Sequence, residues 1–438
     1  MSTPTESAST ATDRDYPESI WHNPNFVRLF VGRLVTNAGE SLYSIAVMWL
    51  VFDMTGSSYY TGVAGSLLLL PHALQFLSGP IVDRFPIRQG LVATQAAQGV
   101  VVLVLPLAAV TGHLSVGVIL VTVPVLALLN QFVGPAQGAA LPRIVADDQL
   151  PRGNSAFASV TQGFDMLFEA VGGVIIAAIG AVSLFVVDAT TFAVAAASFL
   201  GMRIPPAEDG DTAAEIDLRG YLADLRTGGR IIWGTVFAEL TVATAVSNFS
   251  TGVALAVLPA FGAVRSGPAL YGGMLAALGG GRLLGSAVAP RLQGVRYGHV
   301  KIFGYGLGSL LWLGAVLSPW FGVTVGLFCL AWIPAGISSV MGSTLYQRVI
   351  PDHVLGRVSS VSAAAAMFTL PVGAFVGGIV ATHLGVVPTM ALTASGFGFV
   401  GLFHAVRPGL RNLPAMNAID EDAYDLGVEA ASGGDDGE

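Results

Sequence analysis

Charge is what this 438-residue chain has least of. Asp, Glu, Lys and Arg together make up 11% of it, against about 25% in soluble globular proteins. Hydrophobic residues make up 53% and the mean hydropathy is +0.70, so a water-soluble globule is excluded. Cysteine is nearly absent: Cys329 stands alone, which rules out an intramolecular disulfide or a cysteine metal cluster. Lysine is as scarce, with Lys301 the single example. No G-x-x-x-x-G-K-[ST] stretch occurs, so an ATP-driven pump within this chain is not expected. No nucleophile–base–orienter set can be placed, which argues against an enzyme. Residues 1–25 lack a short apolar core with a cleavage site, so the first span is expected to act as an uncleaved insertion signal. No metal, cofactor or nucleic-acid partner is expected.

What the chain has is apolar runs of spanning length. They fall at roughly 26–52, 60–82, 91–111, 115–140, 155–179, 181–202, 230–259, 269–290, 300–318, 322–346, 358–383 and 386–406. The reading is an all-α integral membrane protein of twelve spans. A polar linker at 203–229 divides it into halves at 26–202 and 230–406, with tails at 1–25 and 407–438. The last of these is acidic and expected to be disordered. Nearly all of the 19 Arg and the one Lys fall on one side of this arrangement. Arg265 alone falls in a loop on the other side, while Arg33 and Arg282 lie within spans. The positive-inside rule then places both termini in the cytoplasm.

The halves repeat. A shift of 205 residues aligns Arg143, Asp147, Leu150, Arg152, Ser155, Gly172, Gly173 and Gly180 with Arg348, Asp352, Leu355, Arg357, Ser360, Gly377, Gly378 and Gly385. Parallel repetition six spans apart fits two halves related by an axis along the membrane normal.

Between the second and third runs stands Gly-Pro-Ile-Val-Asp-Arg-Phe-Pro-Ile-Arg-Gln-Gly, residues 79–90. It resembles the loop joining helices 2 and 3 of the major facilitator superfamily, G-x-x-x-D-R-x-G-R-[RK]. Gly79, Asp83, Arg84 and Arg88 match; Pro86 and Ile87 depart from the pattern. Pro135-Ala136, Leu141 to Val145, Leu150 and Asn154 resemble the macrolide-efflux-like branch of the drug:proton antiporters, as does Asp188 to Phe192. Where that branch often has Gly-Pro ahead of the paired glycines of helix 5, this chain has Phe168-Glu169 before Gly172-Gly173. The resemblance implies the major facilitator fold, alternating access, and a cytoplasmic gate at Gly79, Asp83, Arg84 and Arg88. Asp83 is expected against the start of helix 11, with Arg84 and Arg88 facing carboxylates or lipid phosphates.

Charges inside spans are costly and mark pathways or structural pairs. Glu40 lies 14 residues into span 1 and shares a helical face with Asn37 and Arg33. It is the first candidate for substrate binding or coupling, against a structural pairing with Arg33. Asp165 and Glu169 are four apart on one face, and two close carboxylates suit proton binding. Glu239, placed a third of the way into span 7, and Arg282 complete the candidates. Asp188, near the expected outer start of helix 6, is read as a cap or packing residue. Gly281-x-x-x-Gly285, Gly304-x-x-x-Gly308 and Gly373-x-x-x-Gly377 read as packing stripes. The functional expectation is a monomeric secondary transporter in the cell membrane, exporting lipophilic small molecules against protons or another ion. A carrier of a defined metabolite or siderophore, and a membrane sensor or scaffold without flux, are the alternatives.

Overall fold

The computed structural model describes residues 17, 19–73, 86–205, 226–227 and 229–419. In chain order its long helices are α1 (Pro24–Thr55), α2 (Ser58–Ala73), α3 (Ile87–Val110), α4 (Val116–Ile144), α5 (Leu150–Ile179) and α6 (Ala181–Leu200). The second half continues with α7 (Val236–Arg265), α8 (Pro268–Val288), α9 (Tyr297–Leu317), α10 (Phe321–Val349), α11 (Asp352–Leu384) and α12 (Val386–Val406). Among the described residues nine of these are long and apolar enough to cross a membrane; α2, α5 and α8 fill the other three places. The fold is two six-helix halves, as the run pattern predicts.

The 205-residue repeat is visible in the backbone. Gly180 ends α5 at φ +81 and Gly385 ends α11 at φ +89, each leading at once into the next helix. A side chain at either place would be forced into the left-handed region that glycine alone enters freely. Arg143 and Arg348, the paired arginines of the repeat, both sit in the last turn of their helices, where a cation complements the helix dipole.

Helices pack through small residues, since lipid gives no hydrophobic push between them. The three Gly-x-x-x-Gly stripes do this: Gly281 and Gly285 lie against the α10 backbone, Gly304 and Gly308 against Pro334 and Ala331, and Gly373 and Gly377 against Phe249 and Val253 of α7.

With Arg265 at the other, one end of the bundle carries most of the described arginines. There, Asn23 caps α1 by accepting from the amides of Asn25 and Phe26, and its side-chain nitrogen donates to the Ile144 carbonyl at 2.5 Å. Arg28 and Arg88 donate to the carbonyls of Gly201 and Leu200, each at 2.6 Å. Arg88 therefore caps the end of α6. The carbonyls that end a helix have no partner inside it, and a guanidinium supplies one. Gly79, Asp83 and Arg84 lie outside the described residues.

Two expectations are corrected. The tail after α12 does not leave the protein at 407. Residues Pro408–Arg411 and Met416–Ala418 form short helical turns, and Leu410, Leu413 and Met416 are buried. This strap runs beside the start of α9, with the amides of Tyr297 and Gly298 donating to the carbonyls of Pro414 and Leu413 at 3.0 and 3.4 Å. Arg348 donates to the Met416 carbonyl at 2.7 Å. Span 7 begins at Val236 rather than near 230, because Gly234 at φ +83 breaks the chain and Thr235 caps the new helix.

The apolar core shows how the halves meet. Away from the arginines, one continuous cluster joins both halves, from Ile45 and Phe185 to Phe261 and Tyr271. At the arginine end it divides: one cluster around Phe26, Leu141 and Phe199 belongs to the first half, another around Phe237, Leu345 and Leu410 to the second.

Candidate functional site

Contacts between the halves concentrate away from the arginines. Gly62 of α2 packs against Ala374 and Gly378 of α11, and Gly173 of α5 against Pro268 and Gly272 of α8. The Thr61 hydroxyl donates to the Ala256 carbonyl of α7 at 2.8 Å. Trp49 stacks on Tyr271 of α8 with ring centroids 6.1 Å apart. Beneath this closure lies a cavity of about 530 Å³, walled by both halves.

Its polar wall comes chiefly from α1. Arg33, Asn37, Glu40 and Ser44 recur at helical spacing and all line the cavity. Helix α6 supplies the facing carboxylate. At Gly39 the two helices cross so closely that any β-carbon would strike the side chains of Asp188 and Thr191. This crossing sets Asp188 within electrostatic reach of Glu40. Asp188 is 1% exposed. The Thr191 hydroxyl donates to its Oδ1 at 3.3 Å, and its Oδ2 has no hydrogen-bond partner among the described residues. The buried hydroxyl of Tyr43 is likewise unpartnered and also lines the cavity. Gln98 of α3 and Asn130 and Gln131 of α4 add amides.

The rest of the lining is largely apolar. Met48 and Phe192 extend the same faces of α1 and α6 by a turn, Leu68 comes from α2, and Leu255, Tyr271 and Leu275 come from the second half. The site thus sets two carboxylates and one guanidinium of the first half among apolar side chains from both halves. Among the described residues no group of three or more His, Cys, Asp or Glu could hold a metal ion.

Of the sequence candidates, Arg33 and Glu40 are in the cavity. Arg282 is exposed on α8, seven residues beyond Leu275 and so on the same helical face, nearer the arginine end. Asp165 and Glu169 lie on α5, and their side chains are outside the described residues. Glu239 is not a cavity residue. It stands in the first turn of α7, where Oε1 accepts from Nε of Arg407 at 2.7 Å and also pairs with Nη2. Because α7 starts at Val236, Glu239 sits at the bundle's end and pairs within its own half. Asp188 is the residue that sequence reasoning misses. It lies two turns into α6 rather than at its start, and the signal for it is a lone charge in an otherwise uncharged helix.

Residues 19–431 match the family model described as transmembrane secretion effector. The multidrug efflux pump Tap of Mycobacterium tuberculosis is 24% identical over 412 residues, covering 91% of this chain and 97% of that one. The enterobactin exporter EntS of Salmonella typhimurium is 24% identical over 394 residues, covering 86% and 90%. Among solved structures, a variant of the nucleoside transporter NupG superposes with TM-score 0.67 at 11% identity, covering 87% of this chain and 98% of that one. With the family model spanning nearly the whole chain and the fold matching in both halves, this protein belongs to the transmembrane secretion effector family of major facilitator superfamily transporters.

Proposed function

We propose that this chain exports amphipathic, largely lipophilic small molecules from the cytoplasm in exchange for protons. The observation that carries this reading is that Glu40 and Asp188 line one cavity within electrostatic reach of each other, among apolar side chains from both halves. The arginine end is the cytoplasmic end by the positive-inside rule, and the membrane is the cell membrane. In that orientation the divided core at one end and the contacts at the other fit an inward-facing state. Both termini and the 203–229 linker are then cytoplasmic.

The chemistry rests on charge. Two carboxylates sharing one site repel one another, and a proton on either removes the repulsion. A proton arriving from outside leaves the pair with a single charge, which the Arg33 guanidinium in the same cavity can balance. Once the cavity faces inward, a substrate bearing a polar or cationic group competes with that proton for the same wall. The apolar lining takes the hydrophobic body without specifying its shape, which suits a range of lipophilic compounds. Rocking of residues 26–202 against 230–406 then carries the site across. The protein works as a monomer on this reading, since each cavity is complete within one chain. Similarity to Tap and EntS, an efflux pump and an exporter, supports the outward direction. The helix 5 pair Asp165 and Glu169 is the reserve coupling site.

Everted vesicles test this. Ethidium and a panel of lipophilic dyes should accumulate under an imposed proton gradient and leak out when a protonophore is added. Accumulation that ignores the gradient would overturn proton exchange. Arg33 and the amides Asn37, Gln98 and Asn130 favour one second reading, export of a defined polar metabolite. Transport of a single polar compound, with the dyes excluded, would support it.

A further inference from the structure

The wall of the second half carries a groove of about 380 Å³ between α7, α10 and α11 at the arginine end. Thr241, Thr244, Ser343, Tyr346, Ser359 and Ser362 line it, and none of the described residues lining it is charged. It faces the space between the halves. Ala374 of α11 touches α2 of the first half, and Met367, Ala363 and Ser359 precede it by 7, 11 and 15 residues, on the same helical face. Leu255 of α7 lines the main cavity, and Thr244 precedes it by 11 residues, again on one face. The groove therefore continues the cavity toward the cytoplasm on the side opposite Glu40 and Asp188.

The hydroxyls here are set to accept. Those of Thr241, Thr244 and Ser343 donate to the carbonyls of Phe237, Leu240 and Val340, each at 2.9 Å. With the proton committed to the helix, each oxygen presents only lone pairs to the groove. Tyr346 donates to Ser362 at 3.4 Å, which leaves the serine proton as a donor. A row of acceptors without a formal charge suits a ligand group rich in neutral donors. An ammonium would find its countercharge on the opposite wall instead.

We propose that this groove is a subsite for the hydroxylated, sugar-like or polyol portion of a transported molecule, whose apolar body lies in the main cavity. This rests on the reading of the chain as an exporter. Its test uses purified protein in nanodiscs, titrated by fluorescence with 4-methylumbelliferyl β-D-glucoside and with 7-methoxy-4-methylcoumarin, the same ring system without the sugar. The wild type should bind the glucoside about tenfold more tightly, the effect of two or so hydrogen bonds. Thr241→Val with Thr244→Val should abolish that preference and leave the sugar-free compound within about twofold. The corresponding Thr→Ser changes should keep it. Equal binding of both compounds by the wild type, binding of neither, or equal weakening of both in the Val variant overturns the subsite. A glucoside preference lost on Thr→Val, in a protein that shows no gradient-driven ethidium efflux, would uphold the subsite and count against proton-driven export.

Discussion

The hydroxyl of Thr61 donates to the carbonyl oxygen of Ala256 at 2.8 Å, and it does so between helices of opposite halves. Around it Gly62 meets Gly378, backbone against backbone. This closure has no room for a side chain, so Gly378→Leu should prop the outer end apart and favour the outward-facing state. Cysteine reporters lining the cavity should then label more from outside and less from the cytoplasm. Unchanged labelling would mean that the glycine contact does not hold the outer gate.

Glu239 and Arg407 form a partly exposed pair, with side chains 21% and 53% exposed. Such pairs contribute about 0–1 kcal/mol. Glu239→Gln should therefore lower thermal stability only slightly and leave gradient-driven transport intact. Loss of coupling in that variant would return Glu239 to the transport machinery.

The strap after α12 should matter more than its length suggests. Leu410, Leu413 and Met416 are all buried, and each such side chain contributes about 1.5–3 kcal/mol where it leaves water. A chain ending at Ile419 should melt like the full protein, whereas one ending at Arg407 should melt far lower or fail to accumulate. Equal melting of the two would show the strap to be dispensable.

The twelve-span pattern and the arginine asymmetry are legible in the sequence because bilayer thickness and cation placement act on composition alone. So is the α1 face, since Arg33, Asn37 and Glu40 need only the helical repeat to be brought together. Asp188 is not legible, because which face of α6 meets α1 depends on the close crossing at Gly39. The depth of Glu239 is misjudged for a local reason. Ile231 and Ile232 are apolar and extend the run, yet they belong to a turn packed under the arginine-end cluster, which Gly234 cuts off from α7. The strap stays hidden because three apolar residues among Pro and Asn make no recognisable period.

Arg88 offers a separate check on the arginine end. It and Arg28 both cap the end of α6, so Arg88→Ala should cost about 0.3–1 kcal/mol of stability by losing a cation at a helix C-terminus. The loss should shrink at high salt. A collapse of transport at unchanged stability would give Arg88 a gating role of its own.

The exchange of proton for substrate at Glu40 and Asp188 is tested most directly by counting protons. Purified protein in weakly buffered detergent with a pH-sensitive dye should release protons when the best-transported compound of the dye panel is added. The release should fall sharply in Glu40→Gln or Asp188→Asn and vanish in the double variant, with the compound still bound. Wild-type binding without proton release, or full release from the double variant, would contradict coupling at this pair.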